Sequence, residues 1–219
     1  MLHLQIKRLT MTQPDKKGAL EVSEHFGVPV YTVDIRGFEE RKQSLIDYVL
    51  DLKSKDSGVS RSNVGGWHSL ENLHTHKNTD IQWLIAKLTK ITQGASQHFF
   101  GDGRPGQSEL RTCWVNISAS GSWNAPHQHL PADWSGVFYL DAESSEPPGE
   151  NGIASGDLMF FDPVPMGRRF NRPATISYRP KNGRVVLFPA YAVHMVAPHF
   201  EDKDRISIAF NVFWKSSKK

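Results

Sequence analysis

Three histidines and one arginine in the second half of the chain have the types and spacing of a metal site with an anion-binding group nearby. His127 and His129 are separated by one residue, His194 follows 65 residues later, and Arg205 lies another 11 residues on. Residues i and i+2 of a β-strand point to the same side with Cα atoms about 6.6 Å apart, so both imidazoles could reach one ion. A third imidazole from a distant strand would complete one face of the ion and leave the other face open to a ligand.

Arg205 begins a segment whose two faces differ in chemistry. The even positions are apolar: Ile206, Ile208, Phe210, Val212 and Trp214. The odd positions include Arg205, Ser207 and Asn211, so this face would line a cavity or meet water. A guanidinium in a cavity matches a carboxylate through two charge-assisted hydrogen bonds, a geometry that lysine lacks. The alternative is a surface ion pair between Arg205 and Asp202 or Asp204.

The elements that would position these residues fall into a helical part and a β-rich part. Apolar residues at helical spacing predict amphipathic helices at 38–54 and 79–98. From Gly106 onward, short runs rich in β-branched and aromatic residues alternate with turn-forming clusters, which predicts strands. The predicted strands are 111–119, 134–142, 157–161, 174–178, 184–189 and 205–214. An edge strand interrupted by Pro29 is predicted at 26–35, and a long ordered loop at 57–78.

This order of elements predicts an α+β fold. We expect a double-sheet jelly roll with the two helices packed against one sheet. Residues 1–24 should form a loose N-terminal arm, and residues 25–219 a single domain. That domain would consist of a helical elaboration at 38–98 and a jelly-roll core at 107–219.

Composition argues against several classes of protein. The net charge is only +3 and the basic residues are scattered, which argues against a nucleic-acid partner. No apolar run is long enough to span a membrane, and the first 20 residues lack the apolar run of a signal peptide. The single cysteine, Cys113, excludes an intrachain disulfide and favours a cytoplasmic location. We expect Cys113 to be an inert core residue.

Six segments, taken in order, resemble the 2-oxoglutarate/Fe(II)-dependent oxygenases. The resemblance is to the prolyl-hydroxylase-like side of that superfamily, and more closely to a bacterial and phage branch with an HxH…H metal motif. The segments are 62–69 (SNVGGWHS), 114–116 (WVN), 124–129 (NAPHQH), 135–140 (SGVFYL), 187–189 (LFP) and 205–211 (RISIAFN). Each segment is weak alone, and their order and spacing make the resemblance specific.

The resemblance implies a double-stranded β-helix that holds Fe(II) at its mouth and uses 2-oxoglutarate and O2. Such an enzyme oxidises 2-oxoglutarate to succinate and CO2 and hydroxylates an unactivated C–H bond of a small molecule or peptide. The metal ligands would be the three histidines named above. Arg205 would hold the 5-carboxylate of 2-oxoglutarate, with Ser207 and Tyr139 as helpers.

Four further residues are candidates for the surrounding pocket. Asn116 and Asn211 lie on the polar faces of their strands and would contact the cosubstrate, or else be satisfied buried amides. Trp67 and His68 follow two glycines and would form part of the substrate wall, or else belong to a structural loop. His199, just past Pro198, is predicted to face solvent.

One position departs from the pattern of related enzymes, which carry Asp or Glu where His129 stands. We expect His129 to be a metal ligand all the same. The metal site would then carry one negative charge fewer than the sites of those related enzymes. The alternative is that Asp133 supplies the carboxylate and His129 lies behind it.

Two other functions fit the same residues. A three-histidine enzyme that does not use 2-oxoglutarate, such as a cupin dioxygenase or a zinc hydrolase, would use Arg205 to hold a carboxylate of its own substrate. A binding domain without catalysis could use the same jelly-roll scaffold, since fold does not fix function.

Overall fold

The computed structural model describes residues 27–101, 105–144, 147–149, 152–164 and 173–217. The predicted arm, residues 1–24, lies outside these residues. The strands are β1 (Tyr31–Asp34), β2 (Asn63–Val64), β3 (Trp67–His68), β4 (Gly106–Ser118), β5 (Trp123–His127), β6 (Trp134–Asp141), β7 (Leu158–Phe161), β8 (Thr175–Tyr178), β9 (Arg184–Pro189), β10 (His194–Val196) and β11 (Arg205–Ser216). The helices are α1 (Lys42–Lys55) and α2 (Thr79–Phe100), with a 3-10 turn at Leu73–Thr75.

Two antiparallel sheets form the β part of the molecule. The larger sheet has six strands in the order β1-β9-β6-β11-β4-β3, and the smaller sheet has five in the order β2-β5-β10-β7-β8. Except for β3 and β4 in the larger sheet and β7 and β8 in the smaller one, consecutive strands fall in different sheets. This is typical of a jelly roll, where the chain winds back and forth between two layers. The predicted α+β jelly roll is confirmed.

Both helices pack on the outer face of the larger sheet. Leu45 and Val49 of α1 and Ile81, Leu84 and Leu88 of α2 are fully buried in one apolar core with side chains of β4, β6, β9 and β11. Burying each such side chain stabilises the fold by about 1.5–3 kcal/mol. The even-numbered side chains of β11 join this core, so its odd-numbered side chains face the smaller sheet.

The start of α2 follows from its capping residue. The side chain of Asn78 accepts hydrogen bonds from the backbone N–H groups of Asp80 and Ile81, which would otherwise lack partners. The predicted helix at 79–98 is thus confirmed and extends to Phe100. Of the described helices, none is long and apolar enough to cross a membrane.

Four short strands lie outside the predicted set. The predicted loop at 57–78 contains β2 and β3, which are joined by Gly65 and Gly66, both with positive φ (69° and 68°). The others are β5 and β10 of the smaller sheet. These four strands have two to five residues, and they form through pairing with distant segments, which a local sequence pattern does not record. These four strands carry or flank the histidines.

Candidate metal centre

A cavity opens between the two sheets and encloses about 480 Å3 of space, part of it open to solvent. His127, His129 and His194 line one side of it. Arg205 and Ser207 line another part, on β11 of the larger sheet. The fold thus brings the four residues of the original pattern to a single cavity.

The three imidazole rings lie close enough together to share one metal ion. One nitrogen from each ring lies within 4.8 Å of the others. The ring centroids are 4.3 Å apart for His127 and His194, 4.8 Å for His127 and His129, and 5.1 Å for His129 and His194. His194 is directly opposite His127 in the antiparallel pair of β10 and β5, so their side chains project together.

His129 reaches the cluster differently from the way its spacing suggested. β5 ends at His127, so His129 is not the i+2 residue of the same strand. It lies in the following turn, where its backbone N–H donates to the carbonyl of Ala190 at 2.8 Å. The expected convergence of the rings is present, but a turn held by the β9–β10 connection produces it rather than strand alternation.

Backbone carbonyls fix the orientation of two of the rings. His127 Nδ1 lies 2.7 Å from the carbonyl oxygen of Ala125, and His194 Nδ1 lies 2.9 Å from that of Ala192. A carbonyl can only accept, so each Nδ1 carries the proton and each Nε2 keeps its lone pair. A hydrogen-bonded ring nitrogen opposite the ligating one is the usual arrangement of metal-binding histidines.

Burial keeps the cluster neutral. Burial, together with the smaller effect of the neighbouring imidazoles, lowers the pKa of His194 to about 3 and that of His129 to about 4. Burial also lowers the pKa of His127. A metal binds the unprotonated imidazole, so near neutral pH the three rings are in the form that can act as ligands.

Arg205 is buried at the floor of the cavity and its hydrogen bonds are incomplete. Its side chain is 2% exposed. Nη1 donates to Ser207 Oγ at 3.0 Å, and the guanidinium carbon lies 5.4 Å from the centroid of the Tyr139 ring. The Nε of Arg205 and the hydroxyl of Tyr139 are both buried without a hydrogen-bond partner among the described residues. Because a buried polar group without a partner is costly, this pair is suited to an entering carboxylate.

The alternative of a surface ion pair for Arg205 is wrong. Asp204 instead pairs with Lys53 of α1 at 3.2 Å.

Burial raises the pKa of Tyr139 to about 12, so its phenol stays protonated and can donate a hydrogen bond.

Gly156 lies against Arg205 and the carboxylate of Asp157 interacts with it electrostatically, and sequence reasoning did not identify either residue. Gly156 has φ +71°, and a Cβ there would lie 3.1 Å from Arg205 Cδ. The buried carboxylate of Asp157 accepts a hydrogen bond from the N–H of Ala154 at 3.0 Å and attracts the guanidinium. Burial raises the pKa of Asp157. The only signal in the sequence was a Gly-Asp pair directly before a strand.

The predicted pocket residues separate into two groups. Asn116 lines the cavity, whereas Asn211 is not among the lining residues and donates to Thr112 Oγ1 at 3.1 Å. The Trp67 side chain lies in the helix-side core, with Nε1 donating to the carbonyl of Asp56 at 2.8 Å.

His68 does not line the cavity but lies behind Trp114, which does. Its ring stacks on Trp114 with a centroid distance of 5.5 Å and an interplanar angle of 13°. Trp114 in turn lies 5.6 Å from the ring of His129. His68 therefore supports the wall through Trp114, which lines the cavity.

Asp133 and His199 occupy structural positions. Asp133 Oδ2 accepts a hydrogen bond from the N–H of Trp214 at 2.7 Å, and Asp133 is not part of the histidine cluster. The prediction that His199 faces solvent is wrong: it is 2% exposed and its Nε2 donates to the carbonyl of Lys203 at 2.7 Å. The loop after β10 folds back over it.

Cys113 is fully buried, as predicted, and burial raises the pKa of its thiol.

Part of the second half of the chain matches a known protein family. Residues 112–211 match the family described as "Putative 2OG-Fe(II) oxygenase". No curated protein matches the chain in sequence. The chain is similar to a prolyl-4-hydroxylase from Pseudomonas putida, with a TM-score of 0.61 and 14% identity over 87% of this chain and 93% of that one.

Two more solved structures share the fold. One is the viral collagen prolyl hydroxylase vCPH from Paramecium Bursaria Chlorella virus-1 in complex with 2-oxoglutarate, with a TM-score of 0.54 and 14% identity over 84% of this chain and 94% of that one. The other is HygX from Streptomyces hygroscopicus with nickel and 2-oxoglutarate bound, with a TM-score of 0.59 and 10% identity over 85% of this chain and 82% of that one.

The family match covers the segment that holds all three histidines, Arg205 and Ser207. The structural similarities, at these identities, establish the jelly-roll fold. The resemblance found in the sequence is thereby confirmed for residues 112–211, which match a family of 2-oxoglutarate/Fe(II)-dependent oxygenases, dioxygenases that work with Fe(II), 2-oxoglutarate and O2.

Proposed function

We propose that the protein hydroxylates an unactivated C–H bond of a small molecule or peptide, with release of succinate and CO2. One observation carries the proposal: three neutral imidazoles converge within 4.8 Å in a cavity that is also lined by Arg205. This arginine is buried, and its Nε has no hydrogen-bond partner among the described residues. The alternative of a three-histidine enzyme without 2-oxoglutarate explains the imidazoles. It does not explain why Arg205 Nε and the Tyr139 hydroxyl are buried without a hydrogen-bond partner among the described residues.

His127, His129 and His194 would hold Fe(II), which when bound supplies the redox chemistry that activates O2 at the expense of 2-oxoglutarate. Imidazole suits iron among several divalent metals, and three ligands on one side leave positions for a chelating cosubstrate. Of the two candidates for the second ligand we propose His129, because the Asp133 carboxylate is committed to the backbone of Trp214.

Arg205 would anchor the 5-carboxylate of 2-oxoglutarate. Its guanidinium offers two parallel donors, while Ser207 and Tyr139 add hydroxyl groups at the same place. Burial excludes water there, which strengthens each of these hydrogen bonds. Asn116 is the next residue along the same cross-strand row, and Asn211 lies too far along β11 to line the cavity.

No side chain of the protein needs to act as a general base in this scheme. The chain contributes ligands of fixed tautomer, a charge for the cosubstrate and an apolar lining from Val137, Leu158 and Phe188 that excludes water. We retain the single-domain organisation of residues 25–219 and the cytoplasmic location as parts of the proposal.

The test is to follow succinate release by the purified protein with Fe(II), 2-oxoglutarate and O2 over a panel of candidate substrates. We expect slow turnover of 2-oxoglutarate without a substrate and faster turnover with the right one, in each case abolished by a chelator. A protein that binds metal but never consumes 2-oxoglutarate would instead be a metalloenzyme of another kind.

A further inference from the structure

The three histidine rings of the cluster are not held in the same way. The rings of His127 and His194 each donate a hydrogen bond from Nδ1 to a backbone carbonyl, which fixes the plane of the ring. The side chain of His129 is partly exposed, and its ring makes no hydrogen bond with any of the described residues. The orientation of this third ring must therefore come from a contact of another kind.

The backbone of His129, in contrast, is fixed on both sides of the residue. Its N–H donates to the carbonyl of Ala190 at 2.8 Å, and its carbonyl accepts a hydrogen bond from the N–H of Ala132 at 3.1 Å. These two bonds set the point from which the side chain starts. They do not fix the torsion about the bond to the ring, which has only broad preferences in histidine.

Trp114 supplies a contact that can restrict this torsion. Its ring centroid lies 5.6 Å from that of His129, and the two planes are inclined by 48°. The other ring contacts of His129 are with His127 and His194, the residues that would share its ion. Among the described residues, Trp114 is thus the one aromatic side chain from outside the cluster that contacts this ring. Flat rings at such a separation attract each other and limit each other's rotation.

Trp114 is itself held by a stacked ring. The ring of His68 lies 5.5 Å from it with an interplanar angle of only 13°. Both side chains are buried, with exposed fractions of 6% for Trp114 and 3% for His68. His68 Nδ1 lies 2.7 Å from the carbonyl oxygen of Ser69 and must donate to it, because a carbonyl can only accept. The ring behind Trp114 is therefore fixed by a hydrogen bond.

The segment that carries His68 is also anchored to β4, the strand that carries Trp114. The N–H of Ser69 donates to the carbonyl of Val115 at 3.0 Å, and the N–H of Val115 donates to Ser69 Oγ at 2.9 Å. These two bonds fix the position of His68 along β4. The three rings of His68, Trp114 and His129 therefore form a series that is rigid at its buried end.

We propose that Trp114, supported by His68, is the positioning residue for the third ligand, His129. The ring contact would do for His129 what backbone carbonyls do for the other two histidines. Restricting the ring before a metal arrives lowers the entropic cost of ligation. The inference rests on the proposed function in one respect, namely that His129 is a metal ligand.

The test uses Zn(II) binding and not turnover. Protein with isotope-labelled histidine is titrated with Zn(II), and long-range nitrogen–proton NMR spectra show which nitrogen of each ring binds the metal. In the native protein we expect His129 to give one ligated form. In Trp114→Leu we expect His129 alone to populate more than one form, and the affinity for Zn(II) to fall about tenfold. Trp114→Phe keeps an aromatic ring and should stay within about threefold of the native affinity.

Trp214 provides a matched control on another part of the fold. It is buried to a similar degree, with 8% of the side chain exposed, and it does not line the cavity. Trp214→Leu should therefore destabilise the fold about as much as Trp114→Leu. It should change neither the spectrum of His129 nor the affinity for Zn(II).

A second pair of variants tests the part played by His68. His68→Leu should weaken Zn(II) binding about two- to fivefold, and His68→Phe, which restores a stacking ring, should not. Because His68 acts through Trp114, His68→Leu should have no further effect when it is combined with Trp114→Leu.

The proposal is overturned if Trp114→Leu leaves both the ligated form of His129 and the Zn(II) affinity unchanged, if Trp214→Leu has the same effect, or if all three histidines change together. If Trp114→Leu does not fold, equal affinities of His68→Leu and the native protein overturn it. A native protein that binds Zn(II) without ligation by His129 would instead contradict the ligand set of the proposed function.

Discussion

The two sides of the cavity are built in different ways. The histidines lie at the ends of short strands and in a turn, and backbone carbonyls hold two of the rings with their lone pairs free. Arg205 begins a 12-residue strand in the middle of the larger sheet, and its side chain is buried with a donor unsatisfied. Two of the three histidines thus have their Nδ1 groups hydrogen-bonded before any ligand binds, whereas Arg205 Nε has no partner among the described residues.

This difference indicates which side of the cavity destabilises the fold until its ligand binds. Neutral imidazoles with satisfied Nδ1 groups cost the fold little, so metal binding should add stability without relieving strain. A buried guanidinium with an orphaned N–H costs about 1–3 kcal/mol, and an entering carboxylate would recover it. Variants of the two sides should therefore separate metal binding from cosubstrate binding.

The largest effect should come from His194→Ala. It removes one of three ligands, and we expect the affinity for Fe(II) or Co(II) to fall more than about 100-fold with the fold retained. Isothermal titration of anaerobic protein measures this. His98→Gln, at an exposed position of α2, is the control, and unchanged affinity in His194→Ala would remove His194 from the site.

Arg205→Lys should show the opposite selectivity. Lysine keeps the charge but loses the two-pronged geometry, so 2-oxoglutarate should bind about 10- to 100-fold more weakly while metal affinity stays within about twofold. Arg111→Lys, whose side chain is exposed, serves as control. If cosubstrate affinity does not change, Arg205 does not hold the carboxylate.

Acid should destabilise the metal-free protein through the histidines. Their folded pKa values lie below the ordinary value of 6.5, reaching about 3 for His194, so below pH 6.5 the unfolded chain takes up protons that the folded chain does not. Stability is therefore fully present above pH 6.5, and each such histidine removes about 1.4 kcal/mol per pH unit as pH falls toward its folded pKa. Denaturant titrations between pH 7 and 5 should give a shallower slope for His194→Gln. An identical slope would mean that the ring is not buried neutral.

His129→Asp should change metal affinity by less than about tenfold, in either direction. The carboxylate restores a negative charge next to the ion, but it is shorter than the imidazole and must reach from a turn. Titration with Fe(II) distinguishes the two effects. Complete loss of iron would show that the reach of the imidazole matters more than charge at this position.

The smallest effect should come from Gly156→Ala. Both it and Gly152→Ala place a side chain at positive φ (71° and 75°) and should lose about 1 kcal/mol of stability. Only at position 156 would the methyl group contact Arg205, since nothing lies within 4 Å at position 152. Weaker 2-oxoglutarate binding, by a few-fold, is expected in Gly156→Ala alone. Equal affinity in both variants would show that Gly156 does not position the arginine.

Sequence patterns predicted the long elements and the identity of the cluster. Alternation along β11 correctly assigned Arg205 and Ser207 to one face, because a strand of 12 residues shows its period clearly. The two helices were also predicted from the spacing of their apolar residues.

What could not be predicted depends on long-range register. His129 joins the cluster from a turn, His199 is covered by its own loop, and Asp157 meets Arg205 only in the folded chain. Two-residue strands such as β2 and β3 exist because β4 and β5 pair with them, which no local pattern records. Ser62 thus reaches His127 across 65 residues of sequence.

The most direct test is an anaerobic titration of 2-oxoglutarate into the Fe(II)-loaded protein, followed by the visible absorption that arises when a 2-oxo acid chelates ferrous iron. We predict that the band appears and saturates in the native protein, requires far more 2-oxoglutarate in Arg205→Lys, and is absent in His194→Ala. A native protein that holds Fe(II) yet shows no band at saturating 2-oxoglutarate would contradict the account.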